Sequence, residues 1–277
     1  MTSEPQGAPQ LTVEQAIANL KQTEDEGDRY YAAWWLGRFE VRAPEAVSAL
    51  LEALQDEGDR STDGGYPLRR NAARALGKVG DSSVVPALVE SLKCEDYYVR
   101  EAAAQSLAAL GAKESVSVLV DLLEGGVEVA VSVPGKPYLV QPYNAVLEAL
   151  GDLSVGAASL KENSETISIV EPFLSHSMPQ VKNAAARAMY QLTGQGHYTQ
   201  PLVDTLGCDD LQLRRSALLD LGEVGYLPAA EAIANTLAEN SIKLIAMKGL
   251  LEKQIEQSGE RLSEQTCRVM ALMDSLL

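Results

Sequence analysis

The stretch LRRNAARALGKVG, residues 68–80, returns as LRRSALLDLGEVG in residues 213–225, with leucine, arginine, alanine and glycine at the same offsets. A third copy, VREAAAQSLAALG, occupies residues 99–111, a shift of 31 residues from the first. A period near this length, with apolar residues recurring on one helical face, is typical of stacked helical hairpins. The chain is therefore predicted to be an array of repeats.

The array extends when one apolar pair, spaced by four residues, is kept in register in every copy. Such residues share a helix face, so each pair predicts a buried stripe. Seven copies follow, with core pairs Ala32/Leu36, Ala72/Leu76, Ala103/Leu107, Tyr143/Leu147, Ala185/Met189, Ala217/Leu221 and Ala246/Leu250. The prediction is an all-α fold, an α-solenoid of HEAT-like hairpins between residues 28 and 256. It is expected to form one domain over 1–277 with a flexible segment at 1–10.

Glycines and cations recur beside these core pairs. The first helix of several repeats is expected to end at a left-handed glycine cap, at Gly80, Gly111, Gly151 and Gly225. Basic residues at equivalent positions are expected either to bond carbonyls and carboxylates between repeats or to form a basic stripe. These residues are Arg29, Arg69, Arg100, Lys182, Arg214 and Lys243.

Composition and sequence motifs exclude several classes of partner and of catalytic site. A net charge of −16 disfavours nucleic acid and anionic membrane surfaces as partners. The chain has no apolar run of 18 residues and its start is polar, so we expect a cytoplasmic protein. Three cysteines without metal-ligand spacing predict neither a disulfide framework nor a zinc site. Phosphate loops, nucleophile elbows and zinc-protease motifs are absent. The only histidines, His176 and His197, are not within helical reach of a cysteine or of each other, so neither a histidine-based triad nor a conventional metal site is expected.

The most unusual local sequence is RYYAAWWLGRF, residues 29–39, which contains both tryptophans. In the repeat register, Tyr30 and Trp34 fall where other copies carry mostly solvent-facing residues. Because they are one turn apart, they are expected to form an exposed stripe that docks a partner, or a patch that the leading helix covers. Trp35 falls where other copies carry small residues and is expected in the core, while Tyr31 belongs to the same candidate docking block.

Three insertions interrupt the period. The loop 57–67 and the insert 125–142 both enter between hairpins, which predicts that they lie on the same edge of the array. Inserts in repeat proteins often collect on one binding face. The third insert, 153–165, lies within a hairpin and has no assigned role.

The second insert has a pattern of its own. Valines alternate with other residues from Val127 to Val133, ahead of the turn formers Pro134 and Gly135, which predicts a short strand or hairpin. Three interpretations of this insert are possible. It could project Tyr138 and Tyr143 toward a ligand, it could pair with another chain as an edge strand, or it could be a surface loop without a role.

Three segments together resemble a known family: YYAAWWLGRF at 30–39, PLRRNAARALGKVGD at 67–81 and VQPYNAVLEALGD at 140–152. They are similar to the E subunit of the E/F-type phycobilin lyases of cyanobacteria and red algae. The resemblance covers about residues 11–256 and includes the inserts. Its aromatic block and insert flank are more specific than the repeats alone.

The resemblance implies a heterodimer with an F-type lyase subunit. This complex would attach phycocyanobilin by a thioether bond to a cysteine of the phycocyanin α-subunit, and detachment would be the reverse reaction. The acceptor cysteine is then the nucleophile, phycocyanobilin is a substrate, and neither a cofactor nor a metal is expected. The lyase must hold the bilin and protonate it, and a carboxyl group near the pyrrole nitrogens could do so.

Residues can be nominated for each task. Candidate carboxyl groups are Asp81, Glu101 and Glu148, for which capping or tying helices is the ordinary alternative. Candidate partners of the bilin and its propionates are Arg38, Tyr138, Tyr143 and Arg214. Candidate partner-docking residues are Tyr30, Tyr31, Trp34 and Trp35.

Two other functions stay open at this point. The chain could be a HEAT-repeat adaptor without chemistry, involved in phycobilisome assembly or degradation. It could also serve a lyase for another phycobiliprotein subunit.

Overall fold

A computed structural model of the chain describes residues 11–80, 82–154, 164–259 and 263–277, which are mainly helical and contain no β-sheet. The first helices are α1 (Val13–Lys21), α2 (Glu26–Arg38), α3 (Pro44–Leu54), α4 (Pro67–Val79), α5 (Val85–Ser91), α6 (Tyr97–Ala109), α7 (Val116–Asp121) and α8 (Gly126–Val129). They are followed by α9 (Tyr143–Ser154), α10 (Ser164–Val170), α11 (Pro179–Thr193), α12 (Gln200–Thr205), α13 (Leu211–Val224), α14 (Ala230–Asn235), α15 (Asn240–Ser258) and α16 (Glu264–Asp274).

Two compact units make up the described chain. The first comprises the described residues of Met1–Leu119 with Ser132–Pro142, and the second comprises those of Val120–Val131 with Tyr143–Leu277. In the first unit, α2, α4 and α6 pack side by side, α3 packs against α4, and α5 packs against α6. In the second unit, α9, α11, α13 and α15 form the corresponding row, and α12 and α14 pack against α13 and α15.

The predicted core pairs occupy the centre of these rows. Every member of the seven pairs is at most 1% exposed. In six of the seven pairs the first residue is alanine, which allows a close approach of neighbouring helices. The repeat prediction is thus confirmed, while the single domain over 1–277 stays a prediction.

Glycines end some first helices as predicted. Gly80 and Gly225 cap α4 and α13 with φ of 69° and 72°, and Gly111 follows α6 with φ of 64°. The prediction for Gly151 is wrong, because it lies inside α9. A Cβ added there would be 2.8 Å from Ala188 Cα of α11, so this glycine allows two helices to touch.

The second insert is only partly strand-like. Residues Gly126–Val129 form the short helix α8, where Ala130 N–H donates to the Val127 carbonyl at 3.1 Å. This local bond satisfies the backbone without a neighbouring strand, so the alternating valines do not make a strand here. Further on, an isolated antiparallel bridge joins Ser132 and Leu139.

Parts of three predictions fall outside the described residues. They are the flexible segment 1–10, most of the third insert at 155–163, and the candidate carboxyl of Asp81.

Candidate functional site

The two predicted inserts meet at the surface of the first unit and border a cleft of about 490 Å³, here called the insert cleft. Lys136 Nζ of the second insert lies 4.0 Å from Asp63 Oδ2 of the first. Their placement on one edge is therefore confirmed. The side chains that give the insert cleft its chemistry are Arg60, Tyr66, Arg70, Tyr98, Lys136 and Tyr138, with the carboxylates Asp63, Glu95 and Asp96.

A single arginine anchors the second insert to α6. Arg100 Nε donates to Gln141 Oε1 at 2.9 Å, and its Nη2 donates to the Val140 carbonyl at 2.9 Å. At the tip of the insert, Val133 N–H donates to the Tyr138 carbonyl at 3.0 Å. The tight turn thus formed holds Tyr138 against the wall of the insert cleft.

Three tyrosines pack around that point. The rings of Tyr138 and Tyr97 stack with centroids 4.5 Å apart, and Tyr98 meets Tyr138 edge-on at 5.6 Å. Burial raises the pKa of Tyr97, so its hydroxyl keeps its proton at neutral pH. The insert cleft therefore has an aromatic wall, and Tyr138, nominated from the sequence, is part of it.

The charged groups of the insert cleft differ in how firmly they are held. Arg60 pairs with Glu95 and lies over the Tyr66 ring, 4.5 Å from its centroid. The Asp96 carboxylate accepts from the backbone N–H groups of Tyr66 and Tyr98, at 2.7 and 2.8 Å, and so caps α6. These groups have structural partners.

Arg70 is different. It is half-buried, and within the described part of the chain it makes neither a hydrogen bond nor an ion pair. Its guanidinium carbon lies 5.7 Å from the centroid of the Tyr98 ring.

The other candidates for bilin contact lie elsewhere. Tyr143 is 1% exposed and packs on Phe173 with ring centroids 5.6 Å apart, so almost none of its side chain is available to a ligand. Arg214 donates from Nε to the Leu237 carbonyl at 2.9 Å and from Nη1 to the Cys208 carbonyl. These bonds give its guanidinium a structural role in joining main-chain segments. Arg38 is exposed at the end of α2.

Most of the recurring cations behave as Arg214 does. Arg29, Arg69, Arg100 and Lys243 each donate to main-chain carbonyls. The interpretation that these residues tie the array together is confirmed for them. Lys182 is exposed.

The aromatic block on α2 differs from its predicted arrangement. Tyr30 is half-buried, and its hydroxyl donates to Asp59 Oδ1 at 2.5 Å, so it does not form an exposed stripe with Trp34. Burial, followed by the hydrogen bond to Asp59, raises the pKa of Tyr30. Trp34 instead stacks on Tyr31 at 5.6 Å, and both are about half exposed, at 50% and 48%. Trp35 is half-buried beside the exposed Phe39, 4.8 Å away, rather than in the core.

Trp34 also borders a second concavity in the same unit, of about 320 Å³, here called the Trp34 groove. It runs across α2, α4 and α6 over small residues. A Cβ added to Gly37 would be 2.7 Å from Ala75 Cα, and one added to Gly77 would be 2.5 Å from Ser106 Cβ. Close helix approach therefore creates the floor of this groove.

Glu101 and Glu148, the two described candidate carboxyl groups, have raised pKa values. Burial raises the pKa of Glu101, which lies on α6 with its Oε2 3.9 Å from Arg74 Nη2. Burial raises the pKa of Glu148 on α9 to about 8, and the carboxylate of Asp220 adds to this effect. Neither residue lines the insert cleft.

Glu148 belongs to a buried polar cluster in the second unit, here called the Arg187 network. Arg187 on α11 donates to Asp152 Oδ1 at 2.7 Å and to Asp220 Oδ1 at 3.2 Å. Its Nη2 is also 3.2 Å from Glu223 Oε1. Burial raises the pKa of Asp220 to about 6. One cation thus faces four carboxyl groups, and one of these, Glu148, keeps its proton at neutral pH.

Other classes of site can be described briefly. Within the described ranges, no group of three or more His, Cys, Asp or Glu side chains is arranged to hold a metal ion. No helix there is both long and apolar enough to cross a membrane. Cys94, Cys208 and Cys267 are all free thiols, and the first two are half-buried.

Sequence reasoning missed most of the insert cleft. It nominated Tyr138 but not Arg70, Tyr98 or Lys136. Their signal was available, because Lys136 lies in the second insert and Arg70 and Tyr98 each lie within a few residues of the start of a first helix. What was missing was the knowledge that these segments face one another.

Comparison with known proteins gives a consistent picture. The model for HEAT repeats matches residues 60–130, and that for the PBS lyase HEAT-like repeat matches residues 28–56. The chain is 57% identical over 274 residues to phycocyanobilin lyase subunit alpha of Nostoc sp. strain PCC 7120, covering 98% of this chain and 96% of the relative. It is 55% identical to the protein of the same name from Picosynechococcus sp. strain PCC 7002, covering 98% of each.

Two further similarities extend this result. The bilin biosynthesis protein PecE of Nostoc sp. strain PCC 7120 is 41% identical, with 97% of each chain covered. A chain in the solved complex of CpcE and CpcF of phycocyanin lyase from Nostoc sp. PCC7120 matches with a TM-score of 0.87 and 56% identity. That match covers 100% of this chain and 99% of the other.

Proposed function

From the premise that the chain belongs to the family of phycocyanobilin lyase α subunits, we propose that it is the E-type half of a heterodimeric lyase. With an F-type partner, it attaches phycocyanobilin through a thioether bond to a cysteine of the phycocyanin α-subunit. The same complex would catalyse detachment in the reverse direction.

The reaction requires little from the lyase beyond binding and proton transfer. The acceptor sulfur bonds to the exocyclic carbon of the bilin ethylidene group, and a proton is added to the adjoining ring carbon. The thiol supplies that proton overall, so the sum is an addition without oxidant or reductant. Fixing the thiol and the double bond in one geometry makes the addition effectively intramolecular and so lowers its barrier.

The insert cleft is the single observation that supports this function best. It combines cations that suit propionates, tyrosine rings that suit the flat pyrroles, and carboxylates that suit pyrrole N–H groups. Its volume of about 490 Å³ falls within the range of small-molecule sites. Asp63 is the most suitable partner for a protonated bilin, because a hydrogen bond from Ser61 lowers the pKa of its carboxyl group and keeps it charged.

For proton delivery we propose Glu101 or Glu148, whose raised pKa values favour the protonated form that a general acid needs. Glu148 is largely protonated at neutral pH, since burial raises its pKa to about 8. Glu101 has the advantage of position, because it shares α6 and the first unit with Tyr98 of the insert cleft.

We propose that the exposed pair Tyr31 and Trp34 docks the F-type partner. Large aromatic side chains bordering a groove are the usual anchors of protein interfaces. The adjacent Trp34 groove, with its floor of small residues, would admit a side chain or a helix of the partner.

A cytoplasmic location follows from the chemistry. The acceptor cysteine must be a free thiol, and a reducing compartment keeps thiols free.

The test is co-expression of the chain with an F-type partner, phycocyanobilin and apo-phycocyanin α-subunit, reading zinc-enhanced bilin fluorescence on a denaturing gel. A fluorescent α-subunit band that needs both lyase chains is expected. An acceptor with its bilin-binding cysteine changed to serine should give no band and serves as the control.

The alternatives give different results in the same assay. A band only with another phycobiliprotein subunit would show a different acceptor. No band with any acceptor, despite an intact heterodimer, would favour an adaptor and overturn the proposed function.

A further inference from the structure

We infer that Arg70 and Lys136 bind the two propionate groups of phycocyanobilin in the insert cleft, while Tyr98 and Tyr138 contact its pyrrole rings. The inference rests on the proposed function and identifies the part of the chain that recognises its substrate. It replaces Arg38, Tyr143 and Arg214 as the partners of the bilin.

Arg70 is the principal reason. Its neighbours on α4 have partners: Arg69 donates to the carbonyl of Asp56, and Arg74 lies 3.9 Å from Glu101. Arg70 has no such partner in the described chain, and its Nε is buried without an acceptor. A buried polar group without a hydrogen bond destabilises the fold. Arg70 lines the insert cleft, so a carboxylate bound there could pair with the accessible part of its guanidinium.

Other groups near Arg70 do not fill this role. Glu101 acts electrostatically on Arg70 but is closer to Arg74. Arg60, a third cation of the insert cleft, is already paired with Glu95. Arg70 is therefore the arginine of the insert cleft that is free to bind an anion.

Lys136, on the second insert, supplies the second cation of the insert cleft. Its ammonium is only loosely paired, 4.0 Å from the Asp63 carboxylate, at the tip of the second insert. The lysine side chain is flexible and its ammonium is a point charge, so it can follow a propionate without strict geometry. Arg70 is on α4 and Lys136 is on the second insert, and both line the insert cleft. Two cations in one cleft match the two propionate groups of one bilin.

The aromatic wall orients the rest of the ligand. Tyr98 and Tyr138 meet edge-on at 5.6 Å, and both line the insert cleft. The propionates of a bilin are carried by its two inner rings, whereas the ethylidene group is on a terminal ring. A bilin held by its propionates would therefore keep the inner rings against these tyrosines and leave the terminal ring with the ethylidene group outside these contacts.

The test measures binding of phycocyanobilin, and of its dimethyl ester, to the purified heterodimer by titration of the visible absorbance. Arg70→Gln should raise the dissociation constant for phycocyanobilin about 10- to 100-fold, the equivalent of one lost charged hydrogen-bonding partner. Lys136→Gln should raise it less. The dimethyl ester should bind the unmodified complex more weakly than the free acid, and Arg70→Gln should weaken ester binding much less than acid binding.

Arg42→Gln is the matched control. It removes one exposed cation of the same unit outside the insert cleft and should leave the dissociation constant unchanged. Arg70→Lys keeps the charge and should lie between the unmodified protein and Arg70→Gln. The ester comparison needs no substitution, so a variant that fails to fold does not decide the result.

The outcomes separate this inference from the proposed function. If the unmodified complex attaches bilin but binds acid and ester equally, or if folded Arg70→Gln binds phycocyanobilin normally, the inference is overturned and the lyase function stands. If the complex neither binds nor attaches bilin, both are overturned.

Discussion

Replacing Glu148 by glutamine should remove much of the pH dependence of stability in the second unit. Burial raises the pKa of Glu148 from 4.5 to about 8, and Asp220 adds to this, while Arg187 opposes it. Between these two pH values, the folded state keeps the proton that the unfolded state loses. Stability therefore falls as pH rises through this window, and it levels off once the folded state also ionises.

The magnitude follows from that window. Each pH unit inside it costs about 1.4 kcal/mol of unfolding free energy. From pH 5.5 to pH 7.5 the loss attributable to Glu148 is therefore about 2.5 kcal/mol, or roughly 5–10 °C in Tm. Glutamine cannot ionise, and it is close in shape to the protonated glutamate. The stability advantage of Glu148→Gln over the unmodified protein should therefore widen by this amount as pH rises.

The assay is urea unfolding of both proteins, followed by circular dichroism at several pH values across this window. Glu252→Gln removes an exposed carboxylate of α15 that pairs with Lys248 at 3.0 Å, and it is the matched control without a pH-dependent gain. If the difference between Glu148→Gln and the unmodified protein is constant with pH, the buried carboxyl is already ionised. The reasoning about the Arg187 network would then be refuted.

Three further predictions concern the partner surface, the core and helix packing. Trp34→Ala should weaken the heterodimer by about 2 kcal/mol or more in calorimetric titration. Leu219 is exposed at the equivalent repeat position, so Leu219→Ala should leave the affinity unchanged; a loss of helicity in Trp34→Ala would contradict a surface role for Trp34. Tyr143→Ala should destabilise the protein by about 3–5 kcal/mol in thermal unfolding, while Tyr143→Phe should leave bilin transfer normal; a folded Tyr143→Phe protein without transfer would restore Tyr143 to the site. Gly77→Ala should cost about 1–3 kcal/mol, because its Cβ would lie 2.5 Å from Ser106 Cβ, and an unchanged urea midpoint would disprove that contact.

The candidate site could be predicted only in part. The spacing of the inserts predicted that they share an edge, and Tyr138, nominated from the pattern of the second insert, lines the insert cleft. The aromatic block was also recognised, but Tyr30 was chosen where Tyr31 is the exposed partner of Trp34. Adjacent helical residues point about 100° apart, so an uncertainty of one position in the register exchanges a buried ring for an exposed one.

The repeated hairpins were determined by the sequence itself, because apolar pairs four residues apart and glycine caps act through local geometry that every copy shares. The burial of all seven core pairs follows from that local pattern. Tertiary structure alone decided that Arg70 lacks a partner, that Tyr143 packs on Phe173, and that Arg187 gathers carboxyl groups from two helices, α9 and α13. These properties depend on distances between segments far apart in the chain, which periodicity does not contain.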